Sequence, residues 1–209
     1  QIGLPVRQFV VASNENHVLT DFFQTGRYDR QRAFKVTNAP AMDILVSSNL
    51  ERLLYFASGR NTAEVKRYMQ DLADKGAYEV TPETRRQLSQ FTAGFATQEQ
   101  VTKTIQDVFD QTQYTIDPHT AVGRFVLSEQ AISGPTLLAA TASPYKFADT
   151  VLPALGAQAE TGYQGLAQLA QLTQTTIPTA VDTLFAQPIL HRQVITPAQI
   201  EKTFRQELL

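Results

Sequence analysis

The sequence of 209 residues contains no cysteine, which removes disulfide frameworks, thiolate nucleophiles and cysteine metal sites at once. It also lacks any excess of positive charge. The formal net charge is −2 and only 18% of residues are charged, so nothing in the composition draws the chain to nucleic acid or to an anionic membrane. Long apolar runs are missing too: the longest, such as Thr136 to Ala142, fall far short of the roughly 20 residues that cross a bilayer. No charged and apolar leader opens the sequence, and a cytoplasmic protein is the expectation. The G-x-S-x-G, P-loop and G-x-G-x-x-G patterns are absent, so no motif supports a serine hydrolase or a nucleotide fold. The three histidines, His17, His119 and His191, lie far apart with no second ligand at helical spacing, and no metal site is expected.

What is present suits a soluble globular protein. The apolar fraction of 43% is ordinary, and the length allows a sizeable buried core. There is no initiating Met, and Gly3-Leu4-Pro5 reads as the end of a helix whose body is missing, so the chain is expected to be part of something longer. Arg7 to Ala12 then forms a short β-like run, closed by the turn-forming Ser13 and Asn14.

Helix starts are easy to place. Ser48-Asn49-Leu50-Glu51 has the form of a capping box, with Leu50, Leu53 and Leu54 on one face behind it. Asn61 with Glu64 opens a second helix, which carries Val65, Met69, Leu72 and Ala73 on one side and stops at Gly76. Thr81-Pro82, Asp117-Pro118 and Thr196-Pro197 each pair a cap with the proline tolerated at the first helical position. Thr97 with Gln100 begins a helix whose buried stripe is Val101, Ile105, Val108 and Phe109, and Ala121, Val122, Phe125 and Val126 follow Asp117 in the same way. Thr136 to Ala140 reads as a buried strand running into Thr141-Ala142-Ser143-Pro144, with a helix from about Tyr145 to Leu155 stopped by Gly156. Ala159 to Thr176, rich in Gln, Thr and Ala, is the best candidate for a loose, exposed segment. Helix dominates, and each of two strands is followed by a helix, which predicts an α/β fold with a mostly parallel sheet.

Several groups of residues have both a chemical and a plain structural reading. Thr81 to Phe109 has the outline of a helix-turn-helix with Arg85 and Arg86 as base readers, but basic residues are sparse there and two packed helices are the simpler reading. Asn14-Glu15-Asn16 stands where the first strand ends, the position at which open α/β sheets bind ligands, although Asn is also the natural turn residue. Thr141 would bring a hydroxyl to the same rim. Lys146, in the first turn of the following helix, opposes the helix dipole unless an anion faces it; the plain reading is a solvated lysine behind a capping Ser143.

The segments Val10–Asp29, Ala41–Tyr55, Tyr114–Val122 and Ala140–Phe147 resemble, in that order, the threonine synthases of the bacterial and fungal type, and the resemblance extends over nearly the whole chain. It implies a large domain of pyridoxal-phosphate fold type II, the fold of the tryptophan synthase β-subunit. It also implies conversion of O-phospho-L-homoserine and water to L-threonine and phosphate, with pyridoxal 5'-phosphate as electron sink. Residues 1–209 would be the carboxy-terminal part of that catalytic domain, with a helical insertion around 58–112. The Schiff-base lysine and the glycine-rich GNFG-type loop for the cofactor phosphate should precede Gln1, since none of Lys35, Lys66, Lys75, Lys103, Lys146 or Lys202 has the His-Gly-Pro-Thr-like surroundings of that lysine. The chain alone is therefore expected to be inactive, its partners being the small-molecule substrate and the missing amino-terminal part. Thr141 matches the family threonine beside the pyridine nitrogen of the cofactor, and Asn14 and Lys146 are candidates for substrate binding. Asp117, His119 and Thr120 match a block near the active-site side without an assigned role, and Ser143 stands where the family often has His. The other class of reading is a non-catalytic remnant, serving as a structural or binding module.

Overall fold

The computed structural model describes residues 3–190 and 192–208, the side chains of Glu207 and Leu208 excepted. His191 therefore lies outside the described residues.

Strand β1 (Phe9–Ser13) leads into helix α1 (Val18–Thr25), which Gly26 ends in the left-handed region at φ 83°, its N–H on the Phe22 carbonyl. That geometry excludes most side chains and reverses the chain directly into β2 (Arg27–Asp29). After a long loop with a 3-10 turn at Pro40–Met42 come α2 (Ser48–Ala57) and α3 (Thr62–Lys75). Strand β3 (Ala77–Glu79), α4 (Pro82–Gln87), β4 (Phe91–Phe95), α5 (Gln98–Thr112) and α6 (Pro118–Ser128) follow. A 3-10 turn at Pro144–Phe147 precedes α7 (Ala148–Ala154), and α8 (Tyr163–Thr173) closes the first of two compact units, which reaches Thr176. The second unit, from Ile177, holds α9 (Thr179–Asp182) and α10 (Ile200–Leu208) with two 3-10 turns; none of its described side chains is buried.

The helix caps follow the local rules. Asn61 accepts from the Glu64 amide, Thr81 from that of Thr84, and Thr97 forms a full capping box with Gln100, so each first turn has one of its free amides satisfied by a side chain. The predicted box at Ser48 does not form: α2 begins at Ser48 itself, behind Ser47, with no side-chain cap. Glu64 then ties α3 to α4, accepting from the hydroxyls of Tyr68, Thr84 (2.8 Å) and Thr81 (3.1 Å); those donors, Tyr68 first, hold its pKa below the ordinary value.

The strands depart further from expectation. β1 pairs in parallel with β4, from Phe9 opposite Phe91 to Ser13 opposite Phe95, and β2 pairs antiparallel with β3. Residues 81–109 thus contain strand β4 between their helices, and no helix-turn-helix exists there. Segment 58–112 carries β3 and β4 among its helices and contributes a strand to the parallel sheet. Thr136 to Ala140, expected as a buried strand, is extended but unpaired, with Leu137 95% exposed. Its apolar composition suits a strand, but a ladder needs a neighbour, and neither β1 nor β4 takes it up. Leu138 alone turns inward, lying over Gly123 of α6 so closely that a Cβ there would come within 2.8 Å of it. Ala159 to Thr176 is also ordered rather than loose: α8 buries Leu166 and Leu169 and packs on α7.

One apolar core lies beneath α1, α2, α3 and the β2–β3 pair, built around Phe22, Tyr28, Leu54, Val65, Tyr68 and Tyr78. Each such side chain is worth ~1.5–3 kcal/mol of transfer free energy on burial. A second packing centre joins α6 to β1, β4 and α5. Helices thus cover a small parallel sheet, a helix-rich α/β arrangement.

Candidate functional site

The end of β1 is where this arrangement gathers its buried polar groups. Asn14 is 2% exposed and Asn16 3%. The Asn14 Nδ2 donates to Asp43 Oδ1 (2.7 Å) and Thr37 Oγ1 (2.9 Å), while its Oδ1 accepts from the Asn16 amide (2.9 Å). Asn16 in turn brackets Lys35, donating to its carbonyl (2.8 Å) and accepting from its amide (2.9 Å). Asp43 is the hub, for its carboxylate also accepts from Asn16 Nδ2 (3.0 Å) and from the amide (2.9 Å) and hydroxyl (2.8 Å) of Thr37. A half-buried carboxylate is held in place when its lone pairs are met in this way. The network fastens residues 35–43 to the strand end. Asn14 therefore stands at the rim where a ligand-binding residue was expected, yet its amide is spent internally and presents no free N–H.

The amino end of α6 forms the other side. Asp117, 1% exposed, caps the helix by accepting from the amides of His119 (2.9 Å) and Thr120 (3.3 Å), and it also accepts from the Thr120 hydroxyl and the His119 ring. Burial pushes the Asp117 carboxyl up, but the His119 ring, the Thr120 hydroxyl and the two amides together outweigh it and hold the pKa below the ordinary value. The His119 ring reaches the loop: its Nε2 lies 3.0 Å from the Ala41 amide, and its Nδ1 2.9 Å from Asp117 Oδ1. Phe147 packs edge-on against that ring at 4.6 Å, and Lys146 Nζ stands 5.7 Å from the Phe147 centroid.

Asn14, the 37–43 loop, His119, Phe147 and Lys146 thus form one connected series. Lys146 is exposed in the 3-10 turn that precedes α7, and Ser143 accepts from the Tyr145 amide at 3.3 Å as a cap. Thr141 is exposed as well, and its hydroxyl has no hydrogen-bond partner among the described residues. His17 lies apart from the series, bonded to Asp21 Oδ1 (3.0 Å) and stacked on Phe95 at 4.5 Å. No group of three His, Asp or Glu side chains gathers as metal ligands among the described residues, and no described helix is long and apolar enough to cross a membrane.

Thr37 and Asp43 escaped sequence reasoning, although Asp43 falls inside one of the resembling segments. Their partners are 23 to 29 positions away, beyond any local spacing rule. Two surface clefts lie elsewhere. One of about 440 Å³ is lined by Phe22, Phe23, Arg85, Arg86, Leu88 and Phe91, and another of about 250 Å³ lies between α5 and α6; neither touches Asn14, Thr141 or Lys146.

No protein-family model matches the chain. Among curated proteins, threonine synthase-like 1 of Pongo abelii is 36% identical over 157 residues, which is 74% of this chain and 21% of that protein. Threonine synthase of Corynebacterium glutamicum is 34% identical over 169 residues, 77% of this chain and 35% of that enzyme. Among solved structures, pyridoxal-phosphate-bound threonine synthase from Brucella melitensis matches with a TM-score of 0.71 and 36% identity, over 84% of this chain and 37% of that one. Yeast threonine synthase matches with a TM-score of 0.75 and 28% identity, over 99% of this chain and 43% of that one. The chain spans about a fifth of the length of the threonine synthase-like 1 proteins and about a third of that of the threonine synthases it matches. Over that span, in sequence and in fold, the chain belongs to the threonine synthase family.

Proposed function

We propose that the chain is the carboxy-terminal part of a pyridoxal-phosphate-dependent threonine synthase, the enzyme that converts O-phospho-L-homoserine and water to L-threonine and phosphate. What carries this reading is the likeness to threonine synthases along most of the chain, joined to the free state of Thr141. A hydroxyl that is exposed and unpartnered fits a cofactor whose pyridine nitrogen needs one hydrogen-bonding neighbour. When bound, pyridoxal phosphate supplies an electron sink for proton removal next to the amino acid's reacting carbons. The contribution of this chain is positional. Thr141 would meet the ring nitrogen with a neutral hydroxyl, leaving the ring less electron-withdrawing than an aspartate-paired, protonated nitrogen would. The Asp43 network and the Asp117 cap hold the strand end and the start of α6 in place. Lys146, a solvated cation with no carboxylate partner among the described residues, is available to an anionic group such as the substrate phosphate. The lysine that carries the cofactor and the loop that binds its phosphate are assigned to the amino-terminal part.

The second reading, a non-catalytic structural or binding module, draws on one observation: the networks of half-buried Asp43 and buried Asp117 are satisfied within the chain and need no ligand to complete them. Titrating the chain with pyridoxal phosphate and following its visible absorption tests the proposal. Weak, non-stoichiometric spectral change and no threonine formation are expected from the chain alone. Joining it to an amino-terminal segment that carries the lysine and the GNFG-type loop should restore both. A stoichiometric complex traced to one of its own lysines would overturn the division of labour, and failure of the joined protein to bind cofactor would favour the module.

A further inference from the structure

The loop 37–43 is fastened to the end of β1, to α5 and to α6 by different chemistry. Asp43 holds it to Asn14 and Asn16, and a carboxylate accepts from any donor presented to it. Asn38 ties it to Gln98 and Thr102 of α5, and its one described hydrogen bond to α6 is the Ala41 amide on His119 Nε2, across 78 positions of sequence. An amide N–H donates, so Nε2 must be bare. The proton of a neutral imidazole then sits on Nδ1 and is donated to Asp117, which has fixed the ring already. The ring is enclosed, with its side chain 11% exposed and that of Asp117 1%, and Phe147 closes one edge. Both nitrogens are in use, so neither is free to touch a substrate.

We infer that His119 is a positioning residue: Asp117 selects its Nδ1–H tautomer, and the bare Nε2 pins the Ala41 amide and so sets the 3-10 turn Pro40–Met42 against the start of α6. This rests on the proposed function only where a ligand is concerned: the turn forms the part of the rim between Asn14 and Lys146, so its placement governs how an anionic amino-acid substrate is received.

The tautomer is read first in the unaltered chain, by nitrogen-15 imidazole shifts. A protonated, pyrrole-type Nδ1 and a bare, pyridine-type Nε2 are expected; the reverse would overturn the inference without any variant. Two substitutions then separate positioning from mere packing. The amide of Gln overlays Nε2 and keeps an acceptor for Ala41, whereas that of Asn overlays Nδ1 and keeps only the contact with Asp117. Hydrogen exchange at the Ala41 amide should stay slow in His119→Gln and quicken about tenfold in His119→Asn. Equal exchange in the two variants would refute the role. In the joined enzyme, His119→Asn should raise KM roughly tenfold with little change in kcat, and an unchanged KM would sever the turn from substrate reception. Should the pyridoxal-phosphate reading itself fail, the tautomer and exchange results still decide the inference.

Discussion

Tyr28 and Tyr78 sit opposite one another in the β2–β3 pair, with rings 5.3 Å apart and within 5° of parallel. Tyr68 of α3 stacks on Tyr78 at 5.2 Å, so three tyrosines form one column in the main core. The Tyr28 hydroxyl spans the loop, donating to the Leu45 carbonyl (3.1 Å) and accepting from the Ser47 amide (2.8 Å). Aromatic pairs of this kind add ~0.5–1.5 kcal/mol beyond their buried area.

The column makes the fold sensitive to alkali. Burial pushes the Tyr78 hydroxyl well up from its ordinary value, and Tyr28, Tyr68 and Glu51 add to the shift. A raised pKa means that the folded state keeps a proton that the unfolded chain has lost. The stabilisation is complete below the unfolded value of about 10 and falls away as the pH rises above it. Urea denaturation should therefore show a clear loss of stability between roughly pH 9 and pH 11. Tyr78→Phe should keep most of the neutral-pH stability and reduce that alkaline loss; an unchanged alkaline slope would remove Tyr78 from its origin.

Gly94 is required by the seating of α6 on β4. A Cβ at this position would stand 2.9 Å from Val126 Cγ1, and Val126, 1% exposed and β-branched, has nowhere to turn. The Gly94 carbonyl also accepts from Thr20 Oγ1 at 2.8 Å, which ties the strand to α1. Gly94→Ala should cost about 1–3 kcal/mol by overpacking. Val126→Ala should by itself cost about 2 kcal/mol of lost burial. Because the second change empties the space that the first one needs, the double variant should be less destabilised than the sum, a coupling readable from denaturation midpoints. Strict additivity would show that the strand shifts instead.

Thr141 separates stability from turnover. Its side chain is exposed and makes no hydrogen bond among the described residues, so Thr141→Val should leave the melting temperature of the chain nearly unchanged, within ~0.5 kcal/mol. If Thr141 partners the cofactor's ring nitrogen as proposed, the same change in the joined enzyme should lower turnover roughly ten- to a hundredfold. Thr141→Ser retains the hydroxyl and should keep most of the activity. Normal turnover in the Val variant would take Thr141 out of the site.

The sequence by itself determined whatever closes within a turn or two of helix. The caps at Asn61, Thr81, Thr97 and Asp117 are satisfied by amides no more than three residues away, and the buried positions Val65, Leu72, Val101, Ile105 and Val126 repeat at helical spacing. Four ordered segments also carried the family. The sequence also placed β1, but tertiary structure decided the other strands and the site. Phe91-Thr92-Ala93-Gly94-Phe95 has small residues where a strand usually has branched ones, and becomes β4 only because β1 supplies its hydrogen bonds and α6 leaves no room for more than a glycine. Thr136 to Ala140 has the better strand composition and forms no ladder, because a strand's backbone groups are satisfied by a neighbour and not by its own side chains. The same holds at the rim. Asn14 looked like a ligand-binding residue because of its place after β1, but the carboxylate of Asp43, brought up by the fold, claimed its amide. His119 reaches Ala41 only after α6 and the loop have come together, since a hydrogen bond of 3.0 Å between residues 78 positions apart leaves no mark on local spacing.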